Sequence, residues 1–165
     1  MKLTRNLFIP MLDVSADKSG DYKPIDLSTV FEFSWNANTE TYGYIKDKND
    51  TNEVTGYAPT MEQEIVLDNK NPIYSYLFPK FMGMPVGSDC VIPCLLVTPD
   101  ITTGNPTVGY LWSEATCVPS SLATVDGKLN FTLNFNGDAQ KGTVGKAGGK
   151  VTFTPAATVS SVESK

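Results

Sequence analysis

Two acidic residues two positions apart, Glu62 and Glu64, form the most pointed pairing of reactive groups in the sequence. On a strand, residues i and i+2 share a face at about 7 Å, a carboxylate separation that suits an inverting glycosidase. The flanking alternation, with Met61, Gln63, Ile65 and Leu67 opposite them, has a plainer reading: a half-buried strand carrying two solvent-facing acids. The chain has no histidine, so Ser-His-Asp and Cys-His nucleophile arrangements cannot be assembled and the commonest zinc ligand is missing. Cys90 and Cys94 sit in an apolar run; if that run is one strand, their Cα atoms lie about 13 Å apart, too far for a bridge. With Cys117 distant and no second ligand pair, the three cysteines read as small buried hydrophobes. From Asp47 onward, Asp47, Asn49, Thr51 and Glu53 imitate the spacing of a calcium loop, but Asn52 stands where glycine is required and Ala58 where the bidentate glutamate is required. Gly142, Gly145, Gly148 and Gly149 are followed by neither Gly-Lys-Ser/Thr nor a helical pattern, and read as turn and hairpin glycines. No catalytic residue, metal ligand or cofactor is assigned, and the expectation is a protein that is not an enzyme.

These residues are carried by 165 positions, 41% of them hydrophobic, enough for one domain with a real core. Net charge is −5, and the acidity is uneven: the first 68 residues hold twelve Asp and Glu against six Lys and Arg. A surface that binds nucleic acid needs clustered basic residues to displace counterions, and no such cluster is visible. No stretch approaches the roughly 18 apolar residues of a membrane span, and the first 13 residues lack the features of a signal peptide, so a soluble cytoplasmic protein is expected.

Period-two alternation dominates. Leu129, Phe131, Leu133 and Phe135 share one face against Asn130, Thr132, Asn134 and Asn136, and TVFEFSW groups Phe31, Phe33 and Trp35. Further strands are expected at LFIPML, CVIPCLLV, TVGYLWSEATCV and KVTFTP. Asp126-Gly127 has the residue types of a type I′ hairpin turn, Asn136-Gly137 ends the strong strand, and Gly148-Gly149 precedes the last one. One segment breaks the pattern. Asn71 is a candidate N-cap, Pro72 suits the first helical position, and Ile73, Leu77 and Phe81 recur at four-residue spacing, predicting a helix of about two turns that Pro79 kinks or ends. The fold class is mainly β, with one helix packed on the β core.

Between the strands near Trp35 and Thr60 lies NANTETYGYIKDKNDTNEVTGYAP, too long for an ordinary connection in a compact domain and too rich in aromatic and β-branched residues for a linker. It reads as an extended hairpin arm over residues 36–58 that orders against another surface, with its tip near 47–52. Its contact residues are expected to be Tyr42, Tyr44, Ile45, Asp47, Asn49, Val54 and Tyr57, because tyrosine offers large contact area with a hydrogen-bonding end.

Taken in order, TRNLFIPMLDVS, NANTETYGYIKDKNDTNEVTGYAPTMEQEIVLDNKNPIYSYLF and LNFTLNFNGDAQKGTV make the chain resemble the major tail proteins, or tail tube proteins, of long-tailed (siphovirus-like) bacteriophages and prophages of Gram-positive bacteria. The resemblance extends over about residues 4–154 and implies a β-sandwich or barrel with one flanking helix, giving a single domain over residues 1–155 with the helix at about 72–82. The tail over 156–165 is not covered by it and is expected to be flexible because it lacks anchoring residues. It implies homo-hexameric rings stacked into a hollow tube in the virion tail, assembled in the bacterial cytoplasm. The expected partners are tape measure, tail terminator and distal tail proteins, with no membrane anchor; double-stranded DNA passes through without specific binding. Glu32, Glu62 and Glu64 become candidate lumen-facing acids, each expected on the polar face of a strand beside the arm. Acidic walls repel phosphates over a Debye length of about 8 Å at 0.15 M salt. Two alternatives stay open: the tube of a phage-tail-like bacteriocin or defective prophage particle, and a monomeric β-sandwich carbohydrate-binding or adhesion module.

Overall fold

Strands that alternate apolar and polar residues have one interior to face, whereas strands apolar on both sides need two, and this chain contains both kinds. The computed structural model describes residues 2–157, so the expected C-terminal tail lies almost wholly outside the described residues. The strands are β1 (Ile9–Asp13), β2 (Tyr22–Pro24), β3 (Phe33–Ser34), β4 (Ala37–Tyr42), β5 (Thr51–Tyr57) and β6 (Thr60–Val66), then, after helix α1 (Pro72–Met82), β7 (Cys94–Thr98), β8 (Val108–Trp112), β9 (Thr116–Ala123), β10 (Lys128–Asn134), β11 (Gln140–Ala147) and β12 (Lys150–Pro155). Six close a barrel in the order β1-β2-β12-β11-β8-β7, four form a sheet in the order β3-β6-β10-β9, and among the described residues β4 and β5 pair only with each other. The mainly β fold with a barrel, one flanking helix and a long hairpin is therefore present.

The barrel wall explains the uninterrupted apolar runs. Met11, Leu95 and Val97 are buried inside the barrel with Val144 and Phe153, while Leu12, Cys94 and Leu96 point outward into a larger core shared with the four-stranded sheet and the helix. Both faces of β1 and β7 are thus covered, which removes the polar alternation a one-sided strand would show. β6 and β10 have one buried face and alternate cleanly: Met61, Gln63 and Ile65 are buried on β6, Leu129, Phe131 and Leu133 on β10. They pair from Lys128↔Val66 to Asn134↔Thr60.

The barrel interior is small, and glycine makes room in it. A Cβ on Gly142 would stand 2.3 Å from the Thr154 carbonyl oxygen and 2.7 Å from the Phe153 ring. Gly142 is therefore a packing residue within β11, and its reading as a turn glycine is corrected. Gly148 and Gly149 make the two-residue loop between Ala147 and Lys150, both at positive φ (58° and 80°), as a type I′ turn requires. The same turn does not form at Asp126-Gly127: Ala123 pairs with Lys128, leaving a four-residue loop in which Gly127 has positive φ and Asp126 does not.

Three strand boundaries also differ from expectation. TVFEFSW contributes only Phe33–Ser34 to a ladder, against Met61 and Thr60. TVGYLWSEATCV is two strands, β8 and β9. Cys90 ends a 3₁₀ turn, Gly87–Cys90, so it shares no strand with Cys94. In α1, Asn71 Oδ1 accepts from the Ile73 amide at 3.0 Å, and Ile73, Leu77 and Phe81 are buried. The helix continues past Pro79 to Met82, for about three turns. Pro79 leaves the Ser75 carbonyl without its donor, but both residues are exposed, so water takes the missing bond.

Replacing Gly142 by alanine should cost about 1–3 kcal/mol, the usual cost of overpacking. Gly145→Ala, whose Cβ would make an ordinary 3.6 Å contact with Thr152, should stay within about 0.5 kcal/mol of the parent. Denaturant midpoints of the two variants check the contrast, and equal midpoints would contradict it.

Candidate assembly surface

Every residue from 35 to 55 is exposed, an unusual run for a segment with regular strand pairing. β4 and β5 run antiparallel from Ala37↔Tyr57 to Tyr42↔Thr51, with a bulge after Asn38 that leaves Thr55 extra. The Thr55 hydroxyl donates to the Asn38 carbonyl at 3.2 Å, and the Thr41 hydroxyl to Asn52 Oδ1 at 2.6 Å. The tip is the loop over residues 43–50 and carries Tyr44, Ile45, Asp47 and Asn49; Asn52, expected near it, instead lies within β5 opposite Thr41.

The root of the hairpin is fixed more firmly than its body. Asn36 adopts φ +47°, a conformation asparagine tolerates better than most residues, and turns the chain out of β3. Its Nδ2 donates to the Ala58 carbonyl and to Thr60 Oγ1, both at 3.0 Å, tying the outgoing and returning chains together beside β6. Beyond this clasp, the hairpin's side chains meet one another. The Tyr42 and Tyr44 rings stack at 6.4 Å, and the Tyr42 hydroxyl donates to Glu40, which raises the Tyr42 pKa. Glu40 lies directly across from Glu53, a like-charge pairing that weakens a ladder. Val54, Tyr57 and Ile45 are exposed.

Two further surfaces are open: one on the edge of the four-stranded sheet opposite the root, the other beside the root. The first is the outer edge of β9, which pairs with β10 on one side; on the other, a bridge from Thr116 to Val91 engages only its first residue, and Val118 to Leu122 are exposed. Pro119 and the adjoining bulge interrupt this edge, a common way of making an open edge less adhesive. The second is an apolar groove of about 590 Å³ lined by Phe8, Phe31, Phe33, Trp35, Tyr110 and Trp112. Alternation along the sequence groups only Phe31, Phe33 and Trp35; the rest of the lining comes from β7, β8 and the N-terminal segment, and no spacing rule links them.

The three candidate acids are not one row. Glu62 and Glu64 share the polar face of the four-stranded sheet with Asn130 and Thr132, but Glu64 is half-buried and ion-paired with Lys128, leaving Glu62 exposed. Glu32 is exposed in the loop before β3, so its expected place on a strand is corrected: that strand begins one residue later. Among the thiols, Cys94 is fully buried and burial pushes its pKa up to about 12; burial raises Cys117 well above its ordinary value as well. Cys90 is half-buried, with its sulfur 3.2 Å from the Pro85 carbonyl oxygen.

Neither a family model nor a curated protein sequence matches the chain. Its fold is similar to that of solved structures at very low identity. A chain from the tail of an empty GTA particle, refined helically with C6 symmetry, superposes with a TM-score of 0.58 at 12% identity, covering 93% of this chain and 99% of that one. A chain of the sheath/tube terminator of an extracellular contractile injection system, PVC in its extended state, gives 0.50 at 12% identity, covering 83% and 94%. A chain of the 6-fold symmetrised baseplate of the anti-feeding prophage gives 0.50 at 11% identity, covering 81% and 91%. The likeness is one of fold.

With the Cys94 pKa at about 12, its thiolate fraction at pH 8 is about one in ten thousand. A thiol reagent at that pH should modify Cys90 first, and Cys94 and Cys117 only once denaturant unfolds the chain. The unfolded thiols ionise near pH 8.5 while the buried ones do not, so stability should fall as pH rises past that value. Fast modification of all three thiols in the folded protein would contradict this placement.

Proposed function

We propose that this chain is the subunit of a tail tube, a structural protein that assembles into stacked hexameric rings around a central channel. The observation that carries the reading is the hairpin 37–57, anchored at Asn36 and otherwise left uncovered by the described residues of its own chain. Its length, its tyrosines and its exposure suit an arm that grips a neighbouring copy. The likeness of fold over 93% of this chain to a subunit from a C6-symmetric tail supports the same reading, as does the open edge of β9, whose free amides and carbonyls are satisfied when a neighbour extends the sheet.

In this account the tube is a passive conduit, and the subunit has no bond-making task. The polar face of the four-stranded sheet is the proposed lumen wall. It carries amides and hydroxyls, with Glu62 unpaired and Glu64 neutralised by Lys128. Such a wall is weakly acidic, and it repels DNA phosphates at short range without holding them. Tape measure, terminator and distal tail proteins are the proposed partners along the tube, and a long-tailed phage or prophage its setting. A second setting is favoured by the neighbours from the anti-feeding prophage and the extracellular contractile injection system: the same subunit would form the tube of a phage-tail-like device that carries no genome. A DNA-filled capsid copurifying with the tube would distinguish the first setting from the second.

Deleting residues 37–55 should leave a folded protein that elutes as a monomer and forms no tubes, because the deletion removes the arm without touching either core. Size-exclusion chromatography with negative-stain microscopy reads the result. Tubes of normal appearance from the deleted chain would sink the arm's role.

A further inference from the structure

The tip of the hairpin and the groove beside its root match in chemistry, yet within one molecule they do not meet. The groove is open, and Trp35 on its wall is 65% exposed. A smaller hollow adjoins it, sharing Phe8 and Phe31 and reaching Arg5. Arg5 is the single arginine of the chain, is exposed, and has no ion-pair partner among the described residues.

We propose that this groove is the receptor for the arm of a neighbouring copy, with Tyr42, Tyr44 and Ile45 seated against Trp35 and Trp112 and the Glu40–Glu53 pair closing on Arg5. This rests on the tube-subunit reading of the arm and names the surface the arm engages. The groove's own arm is not the occupant: Ile45 is fully exposed and Tyr44 is 51% exposed although the groove is present in the same chain. Trp35 immediately precedes Asn36, so the groove wall and the arm's root are one piece of backbone, and the clasp at Ala58 and Thr60 directs the hairpin away.

Charge supplies the second argument. Two carboxylates placed across from each other are unfavourable in the free hairpin. A guanidinium relieves that repulsion, and its planar fork suits carboxylate oxygens. Tyrosine, tryptophan and arginine are also the side chains that dominate binding energy at protein interfaces. Donor and receptor surfaces differ, so one copy can give its arm to one neighbour and take the arm of another. Repeated head to tail, such a contact closes a ring or propagates a stack, whereas reciprocal exchange of arms between two copies would end at a dimer.

The chain's two tryptophans, Trp35 and Trp112, both line the groove, so its tryptophan emission reports on this site alone. Wild-type full-length protein is compared when dispersed and when assembled, with acrylamide as quencher and negative-stain images to establish assembly. Trp112 is already buried, at 8% exposure, whereas Trp35 is 65% exposed, so on assembly the readily quenched part of the emission, that of Trp35, should move to shorter wavelength and lose most of its quenching. Tubes whose tryptophans stay as accessible as in the dispersed protein would overturn the groove as receptor while leaving the tube reading intact. A Trp35 already shielded in the dispersed protein, seen as emission with no readily quenched part, would point to another occupant and overturn it too. Failure to assemble at any concentration would remove both the proposal and the reading beneath it. Arg5→Glu should raise the critical concentration for assembly about tenfold, the scale of a lost interfacial charge pair. Adding Glu53→Arg in the same chain should bring it back to within about threefold. Loss without rescue would overturn the ionic contact.

Discussion

A two-stranded hairpin alone in water buries too little to hold its shape, and the β4–β5 hairpin is alone. Its inward-facing backbone groups bond across the hairpin, but among the described residues the outer side of each strand has no pairing strand, and its aromatic side chains face solvent. Opposed Glu40 and Glu53 weaken it further. A chain that spends Tyr42, Tyr44, Ile45, Val54 and Tyr57 on such an element gains little stability as a monomer. The cost is recovered when another surface covers the hairpin, and the assembly reading follows from that requirement.

The rest of the molecule is built to present the hairpin rigidly. Its root leaves from β3 and returns into β6, a strand whose inner face is locked into the core by Met61 and Ile65. That core rests in turn on the barrel wall, where β1 and β7 are shared between two interiors. Because the Asn36 clasp bonds directly to Thr60 at the start of β6, a force on the arm is transmitted to the four-stranded sheet without passing through a loose loop.

Much of this was legible in the sequence, and the exceptions have physical causes. Alternation along β6 and β10 was clear because those strands have one wet face. The helix was clear from Asn71, Pro72 and the four-residue spacing of Ile73, Leu77 and Phe81, although the effect of Pro79 was overestimated because its orphaned carbonyl is exposed. Gly142 was misread because its role is to leave space for Phe153 and the Thr154 backbone, and the sequence does not show which strand lies across from it. The hairpin is legible from its length and its aromatic and β-branched residues. The groove did not, since Phe8, Trp35 and Trp112 meet only after three separated segments pack together. Among the candidate acids, the Glu64–Lys128 pairing joins strands 64 positions apart, a register that alternation alone does not supply.

Hydrogen exchange at the amides of β4 and β5, followed in dispersed and in assembled protein, tests the central claim most directly. The account predicts rapid exchange in the dispersed chain, at rates set by local opening of an uncovered hairpin, and strong protection once copies assemble. Equal exchange in the two states would contradict it, since the hairpin would then be either ordered by its own chain or uncovered in the assembly.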